Sequence, residues 1–168
     1  MSNLFHAQVV TGFSHTLLSL SQVLDKAAAH AESHGFDMQN LLTSRLFPDM
    51  LPCTRQFQIA TDSAKGAAAR LTGVEAPRWE DTEQTVAELQ ARLAKARDYL
   101  ASFTAAQFDG AAERAIEIKT PAGTFAFTGE TFLHRWAVPN FYFHCTTAYN
   151  LLRHGGVPVG KFDFLGAL

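Results

Sequence analysis

The sequence predicts an all-α fold, a four-helix bundle with a small β-hairpin between its third and fourth long helices. Three observations carry this. Separate apolar stripes hold helical spacing over six or seven positions each, capping and stop residues bound them, and the period falls to two over only one short stretch. With 168 residues the chain is long enough to close one core without disulfides or metals, so a single domain over 1–168 is expected.

The first long helix is expected over 3–34, with Ser2 as N-cap and Gly35 as its stop. Its stripe runs Val10, Phe13, Leu17, Leu20, Leu24, Ala27 and Ala31. Asp37 can cap a short helix over 38–46, after which Pro48 punctuates the chain. Cys53, Phe57, Ala60, Ala64, Ala67 and Leu71 repeat the spacing in a second long helix that ends at Gly73, and side chains this small let a neighbour approach closely. The segment VEAPRWED reads as a loop, with Asp81 and Gln84 forming a capping box for the third helix. There Val86, Leu89, Leu93, Ala96, Leu100 and Phe103 make an unbroken apolar stripe, leaving Glu88, Arg92, Lys95 and Arg97 on the other faces. Thr104 with Gln107 caps one further turn.

The period then changes. Residues 115–119 and 125–127 flank the turn former Pro121-Ala122-Gly123 and read as a hairpin inserted between helices. The fourth long helix is expected to start between 128 and 131 and to kink or break at Pro139, which has no amide donor. His154-Gly155-Gly156 ends it, and the tail VPVGKFDFLGAL, without helical period, should dock back on the surface.

Composition excludes several function classes. The net charge is -2 with acids and bases interspersed, so no electrostatic footprint for nucleic acid exists. Apolar runs are short and MSNLFHAQVV lacks the features of a secretory signal, so the reading is a cytoplasmic protein with no membrane partner. Cys53 and Cys145 lack CxxC spacing and read as small core residues. No GxSxG elbow, phosphate-cradling glycine loop, HExxH or dinucleotide fingerprint is present.

The fourth helix carries the candidate site. Ala137, Phe141, His144, Ala148 and Leu151 fall on one stripe, which places His144 at a core position where both ring nitrogens need partners. Asn140 lies one turn earlier and can converge with His144 on a cleft between helices. The imidazole there is either a ligand or general base in a polar pocket, or a structural histidine satisfied by Asn140 or by Gln56 across the bundle. Gln56 faces either that cleft or the surface. Asp49, near the start of the second helix, is either a charge favourable to the helix dipole or a catalytic acid. His6 is expected at the surface, and His30 with His34 forms an i, i+4 pair without an acid or cysteine to complete a metal site. Trp136, Phe141, Tyr142 and Phe143 exceed what one inward stripe needs; they pack under the hairpin and tail, or line a dimer surface or apolar pocket.

The segments DMLPCTRQFQIATDSAKGAAARLTG, PNFYFHCTTAYNLLRHGG and KFDFLGAL occur in an order that resembles the DinB/YfiT-like superfamily, and within it the domain-of-unknown-function family nineteen ninety-three, over essentially the whole chain. The resemblance implies a DinB-like four-helix bundle. In many members of that superfamily, it further implies a divalent metal held by one histidine of the second helix and an HxxxH pair of the last. Carried across, His144 matches the second member of the pair, Asn140 stands at the first, and no histidine lies between Asp49 and Asp62. No metal and no cofactor are therefore expected. Two functions follow: a small molecule bound in the bundle cleft around His144, with the reaction unknown, or a non-catalytic homodimeric interaction or scaffold protein with a degenerate metal site.

Overall fold

The computed structural model describes residues 4–167, so the N-cap assigned to Ser2 and the helix start at Asn3 lie outside the described residues. Four long helices dominate: α2 (Phe13–His34), α4 (Cys53–Thr72), α5 (Val86–Ala101) and α7 (Val138–His154). α4 packs against α5 and α7, while α2 packs against α5 and α7. A small antiparallel sheet of two strands lies between α5 and α7. Gly35 and Gly73 end α2 and α4 in the left-handed conformation at φ 67° and 77°, where a side chain would be strained.

The first helix departs from expectation at its start. After α1 (Leu4–His6) the backbone makes a π turn over Ala7–Gly12 before α2 begins. A π turn takes more residues per revolution than an α-helix, so the 3.6-residue count slips there, and Val9 rather than Val10 enters the core above Phe13. Beyond that point Leu17, Leu20, Leu24, Ala27 and Ala31 are buried as expected.

The short helix is α3 (Gln39–Leu42), not 38–46. Asp37 does accept from the Gln39 amide at 2.8 Å, but the chain leaves the helix at Thr43, and the start of α4 takes over its exposed acceptors: Thr54 Oγ1 donates to Leu42 O at 3.0 Å and Cys53 N to Ser44 O at 3.0 Å. Within α4 the alanines at 60, 64, 67 and 68 are buried, which lets α7 lie close.

α5 is capped by Thr85 and Glu88 rather than Asp81 and Gln84. The Glu88 carboxylate accepts from the Thr85 amide at 2.9 Å and the Thr85 hydroxyl accepts from the Glu88 amide at 3.3 Å. Asp81 is unavailable because two arginines hold its carboxylate. Thr104 and Gln107 do form the expected cap of the next turn.

β1 (Ala115–Thr120) and β2 (Gly123–Thr128) pair from Ala115 with Thr128 to Thr120 with Gly123, across a two-residue turn. Ile116 and Ile118 point into the core, and Phe125 and Phe127 pack on Trp136 with ring centroids 5.7 and 5.8 Å apart. Thr128 then caps α6 (Gly129–Phe132), and a second π turn over Leu133–Ala137 leads into α7. In that turn the Val138 amide reaches back to Leu133 O, and Pro139 falls in the first turn of α7, where a missing donor matters least. The tail contains α8 (Lys161–Leu165), a helix too short to show a period. It docks as expected: Lys26 pairs with Asp163, His15 Nε2 donates to Leu165 O at 2.6 Å, and Phe164 meets Tyr149 at 5.6 Å. Among the described residues no helix is long and apolar enough to cross a membrane.

Candidate functional site

Phe141, Cys145, Ala148 and Leu152 form the fully buried stripe of α7, with Phe141 stacked on Phe13 at 4.0 Å. His144 stands beside this stripe rather than in its middle and is only half-buried, which corrects the core position expected for it. A helix turns 100° per residue, so His144 and Cys145 both satisfy approximate three-four spacing, and the larger imidazole takes the rim.

Its partner is on α4. Gln56 is 2% exposed, and its Oε1 lies 2.7 Å from His144 Nδ1. Gln56 Nε2 donates at 2.9 Å to the Leu51 carbonyl, which can only accept, so the amide orientation follows and Nδ1 must be the donor to Oε1. The imidazole is therefore the Nδ1–H tautomer, with its lone pair on Nε2. Burial, reinforced by the positive charge of Arg55, holds the His144 pKa below its ordinary value and keeps the ring neutral. The Phe143 ring meets His144 edge-on at 5.1 Å.

Asn140 does not join His144. Its Nδ2 donates to Ser63 Oγ at 2.9 Å, further along α4, as expected for helices running in opposite directions. It lines a groove of about 310 Å³ together with Arg135, Trp136, Pro139 and Phe143. Asp49 is exposed in a turn before α4, whose first turn holds no acid, so it is not the dipole charge expected.

The donors do not fit the metal site that the resemblance implies. One imidazole spends Nδ1 on Gln56, Asn140 is committed to Ser63, and among the described residues no three His, Cys, Asp or Glu side chains are grouped to hold an ion. The paired rings of His30 and His34, 4.1 Å apart, add no third ligand. Burial pushes the Cys53 thiol up to about 12 and raises Cys145 well above its ordinary range, so neither is a ready nucleophile. His6 is partly buried rather than at the surface: its Nε2 donates to Phe103 O at 3.2 Å and its ring meets Phe108.

Sequence reading missed the largest polar constellation. Arg92, assigned to an outer face of α5, is 3% exposed and reaches Thr61 Oγ1 at 2.7 Å, Glu80 O at 2.9 Å, and the carboxylates of Asp81, Glu83 and Asp62 at 2.9, 3.0 and 3.1 Å. Desolvation raises the Asp81 carboxyl, but the hydrogen bond and charge of Arg55, with those of Arg92, outweigh it and hold the carboxyl below its usual range. Lys65 and Lys95 lie over the Trp79 ring at 4.3 and 4.8 Å. The signal was present in the sequence: position 92 is three residues after Leu89 and four before Ala96, on the edge of the apolar stripe, opposite a loop rich in acids. Arg55, the residue before Gln56, bonds both Asp81 and Gln58 and so belongs to this network.

Three comparisons place this geometry among known proteins. The family model DUF1993, a domain of unknown function, matches residues 5–165. Among solved structures, a DinB family member protein from Shewanella denitrificans is 45% identical, covering 99% of this chain and 94% of its own, with a TM-score of 0.92. The comparison with curated proteins returns no match.

Proposed function

This chain belongs to the DUF1993 family, and from its geometry we propose that it binds a small molecule at His144, on the seam between α4 and α7 of a four-helix bundle. The carrying feature is the tautomer: Gln56 Oε1 accepts a hydrogen bond from Nδ1–H, which leaves a neutral imidazole with its Nε2 lone pair uncommitted among the described residues. Such a nitrogen accepts a hydrogen bond, or a proton, from a ligand hydroxyl. His144 follows Asn140 by one turn and touches Phe143, two residues that line a groove with Arg135, Trp136 and Pro139, and the proposed ligand spans from that groove to Nε2. Aromatic walls beside a single acceptor suit a small phenol, its ring against Trp136 or Phe143 and its hydroxyl toward Nε2. The proposed site needs no resident metal or cofactor, since Asn140 stands where one further imidazole would be needed and α4 supplies no histidine. The proposed setting is a cytoplasmic, single-domain protein with no nucleic-acid or membrane partner.

The test is a titration with p-cresol followed by the ring signals of His144. Saturable shifts at His144 and Phe143, weakened at least about tenfold in His144→Ala, support the reading. Absence of saturable shifts, or equal affinity in the variant, would sink it.

A second reading, a homodimeric scaffold, draws on Phe143 at 57% and Leu51 at 44% exposure, which flank the Gln56–His144 pair. Sedimentation equilibrium distinguishes it: a dimer lost in Phe143→Ser favours the scaffold, and a monomer at all concentrations removes it.

A further inference from the structure

Two helices of this protein each carry a π turn, six residues at Ala7–Gly12 and five at Leu133–Ala137, and both open on the same groove of about 740 Å³. π-helical residues make up well under 1% of ordinary proteins and concentrate where a backbone is shaped around a function. The volume falls in the usual range for ligand sites. The groove's apolar lining comes from Leu4, Phe5, Ala7 and Leu133. Gly12 also lines it, and a Cβ there would stand 3.3 Å from the Gln8 side-chain nitrogen.

The polar lining is Gln8, Glu113, Glu130 and His134. Glu113 and Glu130 both line the groove, are exposed, and form no ion pair among the described residues. Their backbones are tied together, since the Glu130 amide donates to Ala112 O at 3.0 Å. Gly129 makes that approach tolerable, as a Cβ there would fall 1.7 Å from Ala111 O. A metal is not the complement of this pair, because no third ligating side chain joins them among the described residues. The remaining complement to an apolar wall with two uncompensated carboxylates is an apolar body that ends in a positive charge.

We propose that this groove binds a small amphipathic cation, its apolar body against Phe5 and Leu133 and its protonated amine at the Glu113 and Glu130 rim. This site is separate from His144. The experiment titrates the intact protein with octylammonium, octanoate and octanol, observed by amide shifts. Octylammonium should bind at least about tenfold more tightly than either control and move signals at 4–12, 112–113 and 130–134. The exposed double variant Glu113→Gln, Glu130→Gln should retain octanol affinity while the preference for octylammonium falls below about twofold. Equal affinity for the three probes, shifts confined to other regions, or a preference unchanged in the double variant would each overturn the proposal.

Discussion

Replacing Arg92 with Leu tests the packing of the α4–α5 seam most severely. The guanidinium is 3% exposed and six acceptor groups surround it, so its removal leaves Glu83 without a cation, while Asp62 keeps Lys65 and Asp81 keeps Arg55. Breaking a buried ion pair from one side costs about 3–5 kcal/mol when the remaining charge stays buried. Here the Asp62 and Asp81 side chains retain 35% and 31% exposure and can recover water, whereas Glu83 retains 14%. Thr61 keeps its own hydrogen bond to Gln58 O and is not stranded. The lower end of the range applies, about 3 kcal/mol, and at about 2–4 °C per kcal/mol for a chain of this size the melting temperature should fall by about 6–12 °C. Urea unfolding at pH 7 with an unchanged slope isolates the stability term from a change of unfolded state. A loss below about 1 kcal/mol would refute the reasoning, because it would mean that water replaces the guanidinium at no significant cost and that the network does not clamp the 74–85 loop.

Other outcomes follow from single contacts. His144→Ala strands the Gln56 oxygen and should cost about 1 kcal/mol, against less than about 0.5 for the exposed His154→Ala, as read by paired thermal melts; equal effects would contradict the pairing. Because the folded pKa of His144 lies below its unfolded value, the folded state binds fewer protons in that window, so its contribution is present above the unfolded pKa of about 6.5 and is lost as pH falls through the folded pKa. His144→Gln should flatten that part of the stability–pH curve, and an unchanged slope would assign it to another group. Thr85→Ala removes one half of the α5 capping box and should cost about 1 kcal/mol in urea unfolding, whereas no loss would return the cap to another residue. Gly129→Ala forces the new methyl onto the Ala111 carbonyl and should cost at least about 2 kcal/mol, measured the same way, with near-neutrality showing that the hairpin root is mobile.

The helices were legible because a stripe such as Leu89, Leu93, Ala96 and Leu100 has one physical solution, burial of one face. What was not legible depends on interactions distant in sequence. A π turn leaves no compositional mark, so Val10 was placed where Val9 lies. Asp81 has the spacing of a cap, but Arg55 of α4 and Arg92 of α5 itself compete for it, and charge-assisted contacts win over a helix terminus. For His144 the sequence offers Asn140 or Gln56 as partner and the structure selects Gln56, while its depth is less than expected because three-four spacing does not distinguish it from Cys145. Asn140 and Asp49 fit the same helical logic but are separated by partners and by loop geometry that no local pattern encodes.

The central claim is that Gln56 holds His144 as a neutral imidazole offering Nε2. Long-range proton–nitrogen NMR correlations of ring-labelled protein, followed through a pH titration, read both properties at once. The account predicts an Nδ1–H tautomer for His144 that titrates below 6.5 and whose tautomer preference weakens in Gln56→Ala. An Nε2–H tautomer, or titration at or above 6.5 in the intact protein, would contradict it.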